Sequence, residues 1–385
     1  MTRAEDSGPS RGRPVRLAIL GSRGIPARYG GFETFVEELA PRLVARGVEV
    51  TVFCEATGEP APAELGGVRL EHVPAGAPGP LRTVAYDLRC LWRARRDFDV
   101  VYMLGYGASF ACWLPRLWGS AVWINMDGLE WRRSKWSRLA RWYLRAMEGI
   151  AGRVATRLVF DNGALADEIV ARRRWRGVER TALAYGAPIV RAADPAPLFE
   201  LGLEPGGFDL ALCRAEPENH LLEVVRAHVE ADLPRPLVVV ANTEAGTPYC
   251  DEVLAWASER VRFLGAVYEP RTVRALRFHC HTYLHGHSVG GTNPSLIEAM
   301  GCGAPVIAHD NPFNREVLGD AGLYFASEAA LRGALAAAQT DSPAGRRAIG
   351  AAARHRIEER YTWERVAQQY ARLLGLPAQR VEVAA

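Results

Sequence analysis

Apolar and polar positions fall in blocks along the chain, and the order of blocks repeats. Residues 15–20, VRLAIL, form a continuous apolar run ending at Gly21, the pattern of a strand buried in a parallel sheet. After the loop GSRGIPARYGG, Phe32, Phe35, Val36, Leu39 and Leu43 fall on one helical stripe. Pro41 sits inside that stripe and is expected to kink or shorten the helix. Gly47 stops it, and VEVTVFCE supplies the next strand. The second half uses the same grammar: FDLALC (208–213) predicts a strand, RAEPENH a loop, 220–230 a helix and RPLVVVAN another strand. Two units that each restart with strand and loop predict an α/β chain of two doubly wound, Rossmann-like domains.

The expected division is a polar, disordered tail at 1–14, an N-terminal domain at 15–190, a linker rich in Pro and Gly at 191–207, a second domain at 208–360, and a C-terminal segment at 361–385. That last segment spaces Trp363, Val366, Tyr370 and Leu373 for packing, back toward the first domain. The most apolar stretch, 106–126, is interrupted by Pro115 and Arg116. It reads as a buried helix followed by a strand, and no segment reads as a membrane span. At 385 residues the chain exceeds what a single core usually serves. A net charge of +3 gives no general argument for nucleic acid. The seven cysteines lack a CxxC pair and read as reduced thiols of a cytosolic protein.

Candidate chemistry concentrates before two helices. Gly30 and Gly31 let a ligand approach the backbone ahead of the first helix. Residues 285–300, HGHSVGGTNPSLIEAM, place Gly290 and Gly291 before a helix that Asn293 or Ser295 can cap, with Pro294 in its first turn. Free amides at Thr292, Asn293 and Ser295 would suit a diphosphate, and Glu298 could accept from a hydroxyl pair. Arg214, just after a strand, is a natural phosphate clamp. His279, His281, His285 and His287 fall on alternate positions and could share one strand face, where a metal site is conceivable. With no second ligand cluster, histidines lining a cleft for a polar ligand are preferred, and no metal is expected. DFD at 97–99 leads into an apolar strand and reads as structural. Residues 131–147, WRRSKWSRLARWYLRAM, carry six cations and no acid. They suit peripheral contact with a membrane through Arg132, Arg133, Lys135, Trp136, Arg138, Arg141, Trp142 and Arg145. The competing expectation is a surface helix that packs Trp136, Leu139 and Tyr143 on the domain core.

Together, GSRGIPARYGGFETFVEELA, NMDGLEWRRSKW, RAEPENH, HGHSVGGTNPSLIEAM and NPFNREVLGDAGLYF resemble the retaining family 4 glycosyltransferases of GT-B fold, and among them the rhamnosyltransferase branch. The resemblance runs from about 17 to about 374. It implies that Glu298 binds a nucleotide's ribose, and that Arg214, His287, Gly290, Gly291, Thr292, Asn293 and Ser295 surround a nucleotide-sugar donor. Gly30 and Gly31 would face donor and acceptor. The family's sugar-binding glutamate falls on Gly290, and its phosphate-binding lysine falls on Asn219. The implied activity is metal-independent transfer of L-rhamnose from dTDP-L-rhamnose to a lipid-linked acceptor saccharide in surface polysaccharide synthesis. The implied location is the inner face of the cell membrane, without a cofactor and without nucleic acid. Asp127 is the candidate catalytic or acceptor-orienting carboxylate. A sugar-nucleotide epimerase, a family 4 enzyme with another donor, and a non-catalytic membrane-bound scaffold are the alternatives.

Overall fold

The computed structural model describes residues 13–27, 30–58, 61–76, 82–243, 246–340 and 342–377. Residues 1–12 of the expected tail and the last residues, 378–385, lie outside this set.

Eight strands build the first sheet: β1 (Arg16–Leu20), β2 (Glu49–Glu55), β3 (Glu64–Leu65), β4 (Val68–Val73), β5 (Val100–Leu104), β6 (Ala121–Asn125), β7 (Arg157–Phe160) and β8 (Glu179–Ala182). Their order is β3-β4-β2-β1-β5-β6-β7-β8, parallel throughout except for the β3–β4 hairpin. Six more form the second sheet: β9 (Asp209–Leu212), β10 (Leu237–Val240), β11 (Val261–Phe263), β12 (Tyr283–His285), β13 (Val306–His309) and β14 (Leu323–Phe325). They run parallel in the order β11-β10-β9-β12-β13-β14. These are two Rossmann-like sheets in a GT-B arrangement. The all-buried strand β5 shows why continuous apolar runs were the right signal: helices cover both faces of such a sheet.

The crossovers of the first lobe are α1 (Gly31–Val44), α2 (Arg82–Arg93), α3 (Arg138–Val154) and α4 (Gly163–Arg173). Helix α1 buries Phe35, Val36, Leu39 and Leu43 as the stripe requires. It continues past Pro41 to Val44, because Ala45 N still reaches the Pro41 carbonyl at 2.9 Å. The second lobe adds α5 (Ala196–Glu200), α6 (Leu221–Glu230), α7 (Pro248–Leu254), α8 (Pro270–His279), α9 (Pro294–Gly301), α10 (Pro312–Leu318), α11 (Glu328–Thr340) and α12 (Pro343–Arg360). The closing helix is α13 (Trp363–Leu373).

Two expectations need correction. The 191–207 stretch is not a bare linker: it holds α5, with Leu198 and Leu203 buried. Residues 106–120 are not a buried helix either. They form two 3-10 turns, Ser109–Ala111 and Leu114–Trp118, that leave Phe110, Trp113, Leu117 and Trp118 exposed. Pro115 lacks an amide donor and Gly119 turns left-handed at φ 88°, so no α-helix propagates there. The strand after it, β6, is as expected.

Helix α13 packs on α1 across the lobes. Tyr370 shares a 2.9 Å hydroxyl hydrogen bond with Tyr102 of β5, and Ala187 N donates to Tyr361 O at 2.7 Å. Among the described residues no helix is long and apolar enough to cross a membrane.

Candidate active site

The cleft is built where β6 and β7 of one sheet, and β9 and β12 of the other, end. Asn125 pairs with Val159 in register, so Asp127 and Asp161 each stand two residues beyond. Asp127 adopts φ 25° and Gly128 φ 76°. This tight turn is pinned from beneath. Asn125 Oδ1 accepts the Asp127 amide at 2.8 Å, and its Nδ2 donates to Tyr102, which continues to Tyr370. The Tyr185 hydroxyl donates to Asp127 Oδ1 at 3.4 Å. Burial, reinforced by Glu130, pushes the Asp127 carboxyl up to about 7. Burial and then Asp127 itself also hold the Asp161 carboxyl well above the usual carboxylate range. Asp161 Oδ1 is buried without a hydrogen-bond partner.

Arg133 folds onto the same turn. Its Nε lies 2.6 Å from Glu130, and its side chain is only 13% exposed. Ser134 Oγ then crosses to the second lobe and donates to Glu218 Oε2 at 2.8 Å.

In the second lobe, Arg214 follows β9 and lies 3.6 Å from Glu216, with its guanidinium half-exposed. Asn219 closes the loop: its Nδ2 donates to the Arg214 carbonyl at 2.8 Å, and its Oδ1 meets His287 Nδ1 at 2.5 Å. Gly286 permits this loop, since a Cβ there would stand 2.1 Å from Asn219 O. Burial, then the neighbouring His285 and the guanidiniums of Arg133 and Arg214, hold the His287 imidazole well below its usual range. It is therefore neutral, and a neutral ring can both donate and accept. Glu298 on α9 is held by Arg277, Nη1 to Oε2 at 2.5 Å.

The lobes touch. A Cβ on Gly128 would lie 3.0 Å from Gly290 Cα, and one on Gly291 would lie 1.8 Å from Asp161 Oδ1. Thr292 Oγ donates to the Asp161 carbonyl. Beside this contact, Glu316 of the second lobe accepts the Gly163 and Ala164 amides at 2.8 and 2.7 Å, capping α4 of the first.

Residues 15–188 match a family model described as a domain of unknown function, DUF1972. Residues 219–372 match one described as glycosyl transferase-like. The chain is a glycosyltransferase of GT-B fold. Sucrose-phosphate synthase from Thermosynechococcus elongatus superposes with a TM-score of 0.77 at 18% identity, covering 93% of this chain and 98% of that one. Anabaena HepE in complex with UDP and glucose gives 0.73 at 17%, covering 94% and 100%. The trehalose-phosphate synthase of Burkholderia xenovorans gives 0.73 at 14%, covering 93% and 100%. At these identities the likeness is one of fold. Comparison with curated proteins gives no match.

The transferase brings many of the sequence-derived residues together and separates others. Arg214, His287, Gly290, Gly291, Thr292 and Asp127 meet at the lobe contact. The helix start of α9 is less bare than expected, because Asn293 Oδ1 caps the Ser295 amide at 2.9 Å. The Ser295 hydroxyl is taken by Tyr283 at 2.7 Å. Gly291 and Thr292 are buried against the first lobe, not open to a groove. Ahead of α1, whose start has no side-chain cap, two carboxylates tie the loop to the helix. Glu33 in the first turn accepts the Arg23 amide at 2.8 Å, and Glu37 accepts that of Ala27 at 3.0 Å, stapling the 21–30 loop to the helix. The alternating histidines do not share a strand face. His279 ends α8, His281 leans on Asp209, and no group of metal-ligating side chains gathers among the described residues.

The basic segment splits as well. Arg132 pairs with Glu168, while Arg133, Lys135 and Trp136 gather on Glu130. Helix α3 begins only at Arg138, and Arg141 donates to the Ser134 carbonyl. Exposed along the segment are Arg132, Ser134, Lys135, Ser137, Arg138, Leu139, Trp142 and Arg145, with Leu139 75% exposed and so not packed on the core. The sequence assigns no role to Asp161, Tyr185 or Arg277, nor to Glu316, which it shows only as part of a motif. Isolated acids, an arginine and a tyrosine in unremarked helices and strand ends carry no local signal. Only "ends level with Asp127 on the next strand" would have pointed to Asp161.

Proposed function

We propose that the enzyme transfers L-rhamnose from dTDP-L-rhamnose to a lipid-linked acceptor saccharide, with retention and without a metal, in surface polysaccharide synthesis. What supports the nucleotide-sugar part is the placement of two guanidiniums at the lobe contact: Asn219 ties the Arg214 loop to His287 at 2.8 and 2.5 Å, and Ser134, next to Arg133, crosses to Glu218 at 2.8 Å. A diphosphate leaving between the lobes would find both charges fixed before reaction, which is how such sites lower a barrier. Arg133 then supplies the cation that Asn219 does not. Glu298, oriented by Arg277, would accept from the ribose hydroxyls. Asp127, its carboxyl pushed up to about 7, can in its ionised form accept a proton from the attacking hydroxyl. HepE, of the same fold, has been seen with UDP-glucose, which keeps a uridine donor as the second reading.

The rhamnose assignment rests on the motif resemblance and on Gly290. At φ 130° that position disfavours any side chain, and a Cβ would stand 3.1 Å from His287 Nε2. No carboxylate can therefore reach the sugar from residue 290, which fits a 6-deoxy sugar. The enzyme would work at the inner membrane face, with the basic 132–145 segment near its lipid-linked acceptor.

Thermal shift against dTDP-L-rhamnose, dTDP, UDP-glucose and UDP tests the reading. A true donor at a hundred times its Kd stabilises by about 2.7 kcal/mol. No shift with any nucleotide sinks the transferase site. A shift with uridine compounds alone sinks the dTDP assignment. A new epimer formed from donor without acceptor would replace transfer with epimerisation.

A further inference from the structure

Eleven large apolar side chains are exposed among the described residues, and eight of them lie between Leu88 and Trp142. They occupy α2 (Leu88, Trp92), the 3-10 segment (Phe110, Trp113, Leu117, Trp118) and the start of α3 (Leu139, Trp142). These elements touch one another, α2 against 114–118 and α3 against 109–111, so the eight share one side of the first lobe. A soluble surface rarely concentrates its aromatic residues in this way without something to cover them.

Two cavities flank the 3-10 segment. One, of about 500 Å³, has Leu88, Leu91, Trp92, Ala111 and Leu114 in its wall. The other, of about 440 Å³, is lined by Arg116, Arg153, Arg173, Arg174, Trp175 and Arg176. Arg116 belongs to the 3-10 segment itself and donates to the Val154 carbonyl at the end of α3. The basic pocket therefore adjoins the apolar face directly. Arg173 is engaged by the buried Glu148, but Arg153, Arg174 and Arg176 are exposed and make no ion pair among the described residues. Arg95 stacks 4.0 Å over Trp92 and Arg96 5.1 Å over Trp118, so cations border the aromatic rings as well.

We propose that the face formed by α2, residues 109–118 and α3 docks on an anionic phospholipid bilayer, with a lipid phosphate seated among Arg116, Arg153, Arg174 and Arg176. Indole rings settle at the level of the headgroups, where one side is apolar and the other wet. Guanidiniums grip phosphate oxygens in pairs. Each cation near an anionic surface adds attraction that falls off with salt. The apolar cavity beside the same segment offers room for an acyl chain. This deepens the membrane part of the function proposed above, on which it rests for orientation, and it moves the anchoring residues. Arg133, Lys135 and Trp136 drop out, and the 3-10 turns at 109–118, apolar enough to read as a core helix, take their place.

The test is co-sedimentation of the full chain with vesicles of phosphatidylcholine alone or with 30 mol% phosphatidylglycerol, roughly the charge density at which such attraction acts. Binding to the anionic vesicles should be at least ~10-fold the stronger and should weaken with salt. The Arg153→Gln/Arg174→Gln/Arg176→Gln variant and the Trp92→Ser/Trp118→Ser variant should each lose most of it. Both should keep the parent's thermal shift with nucleotide, which shows that they fold and separates this proposal from the transferase reading. Equal binding by parent and variants overturns the proposal. So does binding that needs a second protein, or protection of the arginines by inorganic phosphate without vesicle binding.

Discussion

Asp161 and Gly291 meet face to face across the lobes, with no room for a Cβ between them: it would lie 1.8 Å from the carboxylate oxygen. Because Asp161 Oδ1 has no hydrogen-bond partner, the contact is steric closeness and not a bond that could be traded for another. Gly291→Ala should hold the lobes slightly apart and lower turnover by ~10²-fold, the scale of a 1 Å misplacement. Adding Asp161→Ala should recover most of that loss. Steady-state rates of the two single variants and the double variant decide it, and additive losses would show that the closed contact is not the working arrangement.

Arg133 and Arg214 should behave alike, although the sequence puts one in a basic stretch and the other after a strand. Arg214→Ala and Arg133→Gln are each expected to lower kcat by ~10²–10³, the cost of removing one fixed charge donor. Neither should change vesicle binding. An Arg133→Gln enzyme with normal turnover and weakened membrane binding would return Arg133 to the surface role that composition alone suggests.

Asp127 gives the reaction a pH signature. With its carboxyl pushed up to about 7, the ionised form that can accept a proton accumulates only as pH rises through that value. The rate with saturating donor and acceptor should climb from pH 6 to pH 8, by roughly 10-fold per unit below the pKa. Asp127→Asn should remove the climb along with most of the activity. A flat profile for the parent enzyme assigns proton transfer elsewhere.

Asp87 offers a stability test away from the cleft. It is 5% exposed on α2, its Oδ1 lacks a partner, and burial pushes it from 3.8 to about 7. Between those values the folded chain holds a proton that the unfolded chain releases. Its contribution is fully present below 3.8 and is lost as pH rises through about 7. Asp87→Asn removes the buried charge. It should leave the melting point nearly unchanged below pH 3.8 and raise stability as pH climbs toward 7, by on the order of 4 kcal/mol at pH 8. A variant less stable than the parent at pH 8 would mean that the carboxylate has a partner.

The chain's local patterns were enough for the two sheets, because a strand buried on both faces must be apolar throughout and a crossover helix must carry a stripe. Val100–Leu104 and the α1 stripe meet those demands without reference to anything distant. The same locality made Gly290, Gly291 and Arg214 legible, since a glycine pair before a capped helix and an arginine after a strand are neighbours in sequence. Locality also misled. Residues 106–120 are apolar enough for a core, yet Pro115 and Gly119 break the helix and leave Trp113, Leu117 and Trp118 outside.

What lies across the cleft was decided only by folding. Asp161 faces Gly291 from 130 residues away in the chain, and Glu316 caps a helix 152 residues upstream. Arg133 leaves its basic neighbours because Glu130 and Asp127 gather it inward. Sequence sets which backbone each segment can form, since that depends on near neighbours. The partner of a buried charge depends on which segments the two sheets bring together, and no stretch of sequence contains that.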